Sequence, residues 1–156
     1  MVADMNTNNK EKAVELLKAS IEQVNVVRVL DGGEYVSIHS QHVYGEEKKA
    51  AIDIYRFENG EAVEHLSNAQ TMSDAQNPGG HTMLDGFVET VDFEKSAENK
   101  ALVERLLDAM LNGRTSEFPA FFDGDNYINH NPAAYDGLSG FAKGMKERAE
   151  KGIITK

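Results

Sequence analysis

At 156 residues, 40% apolar and 27% charged, the chain has the size and composition of one soluble domain with a real core. A net charge of −10 excludes a general binder of nucleic acid or of anionic membrane, since both need a basic surface. The absence of cysteine excludes disulfides, thiolate nucleophiles and cysteine-held metals.

Residues 1–8 are polar and lack the apolar stretch of a signal peptide, and no apolar run approaches the ~20 residues of a membrane span. A cytoplasmic protein is expected. Asn8 or Asn9 can cap a helix running to about Glu22, with Ala13, Leu16, Leu17 and Ser20 on one face. Two β-hairpins are predicted next. The first joins Val24–Leu30 to Tyr35–Tyr44 around Asp31-Gly32-Gly33, and the second joins Lys49–Phe57 to Ala62–Thr71 around Glu58-Asn59-Gly60. Residues 73–97 are rich in Asn, Gly, Asp and Ser and form the longest irregular stretch, which in a compact protein carries function or links units. Glu98–Asn112 reads as a helix with Leu102, Leu106 and Met110 inward and Gly113 at its end. A short helix over Thr115–Phe122, a strand at Tyr127 halted by Pro132, and a last helix over Gly137–Lys151 closed by Gly152 complete the chain.

The second hairpin decides which side chains can act together. A two-residue Asn59-Gly60 turn would pair Phe57 with Ala62 and set Asp53 opposite Leu66. A three-residue loop would pair Phe57 with Glu61 and set Asp53 opposite His65, with Tyr55 opposite Val63. The three-residue loop is favoured because it gathers Asp53, Tyr55, His65 and Ser67 on one face and leaves Ile52, Ile54 and Leu66 on the other. An aspartate in an apolar pocket has its neutral form favoured, which suits acid–base work. His39 and His42 alternate to opposite faces of their strand. His39, His65, His130 and Asp53 match no compact ligand spacing, so no metal site is expected. His81 lies in the irregular segment beside Met83 and Leu84, which could lid a cavity. No phosphate-binding glycine loop, dinucleotide fingerprint or nucleophile elbow is present.

Asn9-Lys10 and Leu16-Leu17-x-Ala19 recur as Asn99-Lys100 and Leu106-Leu107-x-Ala109, either by chance reuse of helix formers or by tandem duplication. The block Tyr127-Ile128-Asn129-His130-Asn131-Pro132 with Asp136-Gly137, and the helix start Glu98-Asn99-Lys100-Ala101-Leu102-Val103, resemble the N-terminal half of the SnoaL-like polyketide cyclase family. Residues 24–86 resemble its C-terminal half, through Asp53-Ile54-Tyr55-Arg56-Phe57-Glu58-Asn59-Gly60 with Glu64-His65 and through Gly80-His81-Thr82-Met83-Leu84-Asp85-Gly86. The halves stand in exchanged order, with 98–152 after 24–86 and 73–97 as the linker.

The resemblance implies a single α+β domain over 1–156 with a cystatin-like cone: a curved antiparallel sheet with helices over its concave face, circularly permuted or intertwined between two chains. It implies a homodimer through the outer sheet face and cofactor-independent acid–base chemistry, of cyclase, isomerase or dehydratase type, on a small apolar carbonyl compound. Asp53, His130 and His65 would be catalytic. Tyr55, Tyr127, Ser67, Met83 and Phe122 would bind the ligand. The family's strand commonly reads Glu-His-Trp-Asp, and here Leu66 and Ser67 stand in place of the Trp and the Asp. A serine needs an activating base to abstract a carbon-bound proton, so the alternative is a non-catalytic binding or assembly module.

Overall fold

The computed structural model describes residues 4–89 and 91–153, with side chains from position 8 onward. The protein is α+β and divides into two compact units, Met1–Asp74 with Phe87–Glu89 and Ala75–Gly86 with Thr90–Lys156.

The first unit is one helix on a four-stranded antiparallel meander. Helix α1 spans Asp4–Ser20; the strands are β1 (Gln23–Asp31), β2 (Tyr35–Tyr44), β3 (Glu47–Glu58) and β4 (Glu61–Thr71), hydrogen-bonded in the order β1-β2-β3-β4. Alternation builds the core. Val36 and Ile38 of β2 and Tyr55 and Phe57 of β3 point to the same face, where Ala13 and Leu17 of α1 cover them. Val24, Val26 and Val29 of β1 pack around this cluster. Burying Leu17 alone contributes about 2 kcal/mol of transfer free energy. Helix α1 packs on β1, β2 and β3, whereas every residue of β4 is exposed.

The β3–β4 hairpin corrects the expected register. The turn is the two-residue Asn59-Gly60, both at positive φ (53° and 79°), with Glu58 opposite Glu61 and Phe57 opposite Ala62. Two such residues make the turn whose twist matches a hairpin. A bulge then intervenes: Arg56 pairs with Glu64, so Val63 is the extra residue. The bulge restores the parity that the two-residue turn would have lost. Asp53 therefore sits opposite Ser67, not His65, and Tyr55 opposite His65, not Val63. The expected face survives: Asp53, Tyr55, His65 and Ser67 share it.

The second unit contains α2 (Ser96–Leu111), α3 (Gly137–Glu150) and 3-10 turns at Phe93–Lys95 and Thr115–Ala120. Its buried residues include Ala109, Phe118, Met83 and Asn77. Phe118 packs on Phe141 of α3 with ring centroids 5.4 Å apart. Two expectations fail here. Met110 is exposed, and Ala109 takes the buried position on α2 beside half-buried Leu102 and Leu106. The segment around Tyr127 is not a strand. Its backbone bonds go elsewhere: Tyr127 O accepts from Gly137 N (2.8 Å), Asn129 N donates to Asp136 Oδ1 (2.8 Å) and Asn129 O accepts from Asn77 Nδ2 (2.7 Å). A chain whose polar groups are met by side chains and a turn has no need of a ladder.

Candidate functional site

Three strands place one buried carboxylate between two imidazoles. Ile38 pairs with Asp53, so His42, four residues along β2, emerges on the same face as Asp53. His65 arrives from β4, opposite Tyr55. Asp53 is 0% exposed. Its Oδ1 lies 2.9 Å from His65 Nε2 and its Oδ2 lies 3.0 Å from His42 Nε2. A carboxylate oxygen only accepts, so with Asp53 ionised each Nε2 carries the proton and each neutral ring keeps its lone pair on Nδ1.

The two histidines differ in access. His42 is 3% exposed and lies edge-on to Tyr44, whereas the His65 side chain is 38% exposed. His65 is also stacked on Tyr55 with centroids 4.2 Å apart. Burial, and then the nearby Asp53 charge, push the Tyr55 phenol above its usual value, so it keeps its proton. A side-chain hydrogen bond with Ser20, at the end of α1, acts weakly in the opposite direction, and the Ser20 hydroxyl donates to Leu17 O at 2.9 Å. Ser40, fully buried on the same sheet face, has a hydroxyl with no hydrogen-bond partner among the described residues.

A cleft of about 360 Å³ lies between α1 and the β3–β4 turn, lined by Lys12, Glu15, Leu16, Ala19, Phe57, Glu61 and Ala62. The Phe57–Ala62 pair belongs to the same strand pair as Tyr55–His65, from which Arg56–Glu64 separates it. Lys12 guards the turn end by donating to Gly60 O at 2.6 Å.

No protein-family model, curated protein or solved structure matches this chain.

The remaining site candidates lie in the second unit. His130 Nδ1 donates to Thr82 O at 3.1 Å and stands 3.7 Å from Asp85 Oδ1, so the imidazole ties its loop to a backbone carbonyl. His81 lies between two carboxylates, 3.3 Å from Asp85 Oδ2 and 3.5 Å from Asp136 Oδ2. The Thr82 N–H holds the Asp85 carboxyl below its usual range, against a smaller opposing effect of burial and with help from His81. Tyr127 is 39% exposed and set edge-on to Phe122, centroids 5.1 Å apart, while Met83 is buried.

The organising residue of this unit is Asn77, which is 4% exposed. Its Nδ2 donates to Asn129 O and Asp136 Oδ1, both at 2.7 Å, and its Oδ1 accepts from Gly79 N (2.9 Å) and His81 N (2.8 Å). A separate cavity of about 690 Å³ is lined mainly by Phe118, Pro119, Leu138, Phe141 and Met145. Asp125 at its edge is committed to α3, accepting from Ser139 N and Ser139 Oγ at 2.8 Å each. None of the eight residues expected to form the site lines this cavity.

Asp53, Tyr55, His65 and Ser67 are thus brought together in one unit, and His130, Tyr127, Phe122 and Met83 belong to the other. Sequence reasoning missed His42. The signal was available, since Val36, Ile38, Ser40 and His42 alternate on the apolar side of β2. Nothing in the sequence pointed to Asn77 as a hub. No group of three or more His, Asp or Glu among the described residues is arranged to hold a metal, and no described helix is long and apolar enough to cross a membrane.

Proposed function

We propose that this protein binds a small, largely apolar carbonyl compound and moves a proton on it without a cofactor, with His65 as the acid–base group and Asp53 as its positioning residue. One observation carries the reading: Asp53 is wholly buried, each of its oxygens meets a different imidazole, and of the two imidazoles only His65 reaches solvent. Asp53 itself is 0% exposed, so a substrate does not reach it. It orients His65 through Nε2 and leaves Nδ1 to exchange a proton, while the stacked Tyr55 ring fixes the imidazole plane. The cleft between α1 and the β3–β4 turn has an apolar floor, Leu16, Phe57 and Ala62, and a polar rim of Lys12, Glu15 and Glu61. An apolar floor with a few polar groups at its edge suits a largely apolar compound. The similarity of the Asp53–Gly60 and Tyr127–Pro132 blocks to SnoaL-like polyketide cyclases supports the same reaction class. With it go the finer architecture of a cone whose halves are exchanged within one chain or between two, a homodimer and a cytoplasmic setting.

A second reading is favoured by the 690 Å³ cavity, whose lining is apolar and whose one carboxylate is occupied in capping α3. It would hold an apolar ligand with no chemistry, as a binding module does.

The test is a thermal-shift screen of aromatic ketones and steroids, followed by solvent deuterium uptake at the carbon next to the carbonyl of any hit. Binding with deuterium uptake that is lost in His65→Ala supports the acid–base reading. Binding without uptake supports the module. A panel that moves the melting temperature nowhere defeats both.

A further inference from the structure

Strand β4 is an edge of eleven residues, all of them exposed, and among the described residues no other strand pairs its outer side. Soluble proteins protect such edges with lysine, proline or a bulge that twists the strand away. β4 (EAVEHLSNAQT) contains no lysine, arginine or proline, and its bulge lies at Val63, near the start. From Glu64 to Thr71 the strand runs in unbroken register with β3. We propose that β4 pairs antiparallel with β4 of a second copy of this chain about a dyad at Leu66, joining the two four-stranded sheets through their edges.

The sequence of β4 selects that occupant. Leu66 is the midpoint of Glu61–Thr71, so a dyad there overlaps the strands over their whole length. Leu66 then faces Leu66, His65 faces Ser67, Glu64 faces Asn68, Val63 faces Ala69 and Glu61 faces Thr71. No like charges stand opposite each other, although the strand carries two glutamates. On the outer face Leu66 is 57% and Ile52 49% exposed. Ile54 is directly paired with Leu66 in the adjacent strand. Across the dyad these residues would merge with their counterparts into one apolar strip, covering side chains that each copy leaves in water.

The pairing also completes a site. On the inner face the row Tyr55–His65 of one copy would continue into Ser67 and then Asp53 of the other. Ser67, whose hydroxyl makes no hydrogen bond among the described residues, would come beside the solvent-facing histidine of its partner. Each acid–base centre would thus be built from two chains.

The chain has no cysteine, so a single introduced one reports its own neighbours. The expected results for the 156-residue chain are a dimer in sedimentation equilibrium and an intermolecular disulfide in Leu66→Cys under glutathione oxidation. Directly opposed strand positions lie ~5 Å apart at Cβ, close to disulfide geometry. Ile52→Cys, on the same face but one strand inward, stays uncrosslinked, and Leu66→Lys weakens dimerisation about tenfold or more by opposing two ammonium groups. A monomeric wild-type protein overturns the proposal. So does a dimer that links through Ile52→Cys and not Leu66→Cys, which would instead place the outer sheet faces against each other.

Discussion

His65 lies flat on Tyr55, with ring centroids 4.2 Å apart and planes 1° from parallel. The two residues are opposite each other across β3 and β4, so the stack follows from register, and the register follows from the bulge at Val63. One extra residue in an edge strand thus decides that an imidazole covers a tyrosine and reaches Asp53, when it would otherwise point to the far side of the sheet.

The buried phenol gives an alkaline signature. Burial and the Asp53 charge raise Tyr55 above its ordinary value of 10.0, so the fold favours the neutral phenol. That contribution is fully present below pH 10 and is lost as pH climbs through the raised value. Tyr55→Phe keeps the ring stack and removes the titrating group. Urea unfolding should therefore show wild type losing stability relative to Tyr55→Phe above pH 10. Parallel curves through that range would refute the assignment.

Asp53 joins two imidazoles, and its variants should separate charge from hydrogen bonding. Asp53→Asn offers one acceptor and one donor, so one histidine must switch tautomer to accept; a cost of about 1–3 kcal/mol is expected. Asp53→Ala leaves both Nε2 groups without their acceptor and should cost more, about 3–5 kcal/mol. Urea midpoints read both values. In ligand-bound protein the same variants should shift the pH profile of deuterium uptake and leave affinity nearly unchanged, because Asp53 acts through His65.

Asn77 is the corresponding residue of the second unit. Asn77→Asp removes both donors from Asn129 O and Asp136 Oδ1 and sets a carboxylate against the Asp136 carboxylate. A loss of about 3 kcal/mol or more is expected near neutral pH. Gly79 is held to a hydrogen side chain by Asp136, since a Cβ there would lie 1.8 Å from Asp136 Oδ2. Hydrogen exchange at the Asn129 amide, which donates to Asp136 Oδ1, should accelerate in Asn77→Asp, whereas the His81 amide keeps an acceptor at position 77. Unchanged protection of the Asn129 amide would show that the hub is dispensable.

Ser40 points the other way. Its hydroxyl is fully buried without a hydrogen-bond partner among the described residues, so the fold bears the desolvation of a polar group and gains no bond. Ser40→Ala should raise stability by about 1 kcal/mol. A decrease of that size would mean that the hydroxyl is satisfied in solution.

The two hairpins and helices α2 and α3 were legible because each is a local pattern, whereas α1 begins at Asp4 and holds Asn8 and Asn9, the expected caps, inside it. Ala13 and Leu17 recur at helical spacing, the β2 residues Val36 to His42 alternate, and Asn59-Gly60 marks a turn whatever surrounds it. Met110 was misplaced because α2 carries apolar residues on more than one face, and periodicity cannot say which face finds a neighbour. The Tyr127 segment was misread as a strand for a related reason. Tyr127 and Ile128 are strand-forming residue types and Pro132 reads as a strand stop, yet strand formation needs a partner edge, and here Asn77, Asp136 and Gly137 satisfy its backbone first.

The sequence by itself determined the α+β character and the four strands, because these depend on short-range periodicity and turn chemistry, whereas the shared face of Asp53, Tyr55, His65 and Ser67 rests on the bulge at Val63. Tertiary structure alone decided that Asp53 is held between His42 and His65, and that Asn77 fastens residues more than fifty positions away. Those contacts are set by strand register and by loop hydrogen bonds across long separations, where a single inserted residue reverses which side chains meet.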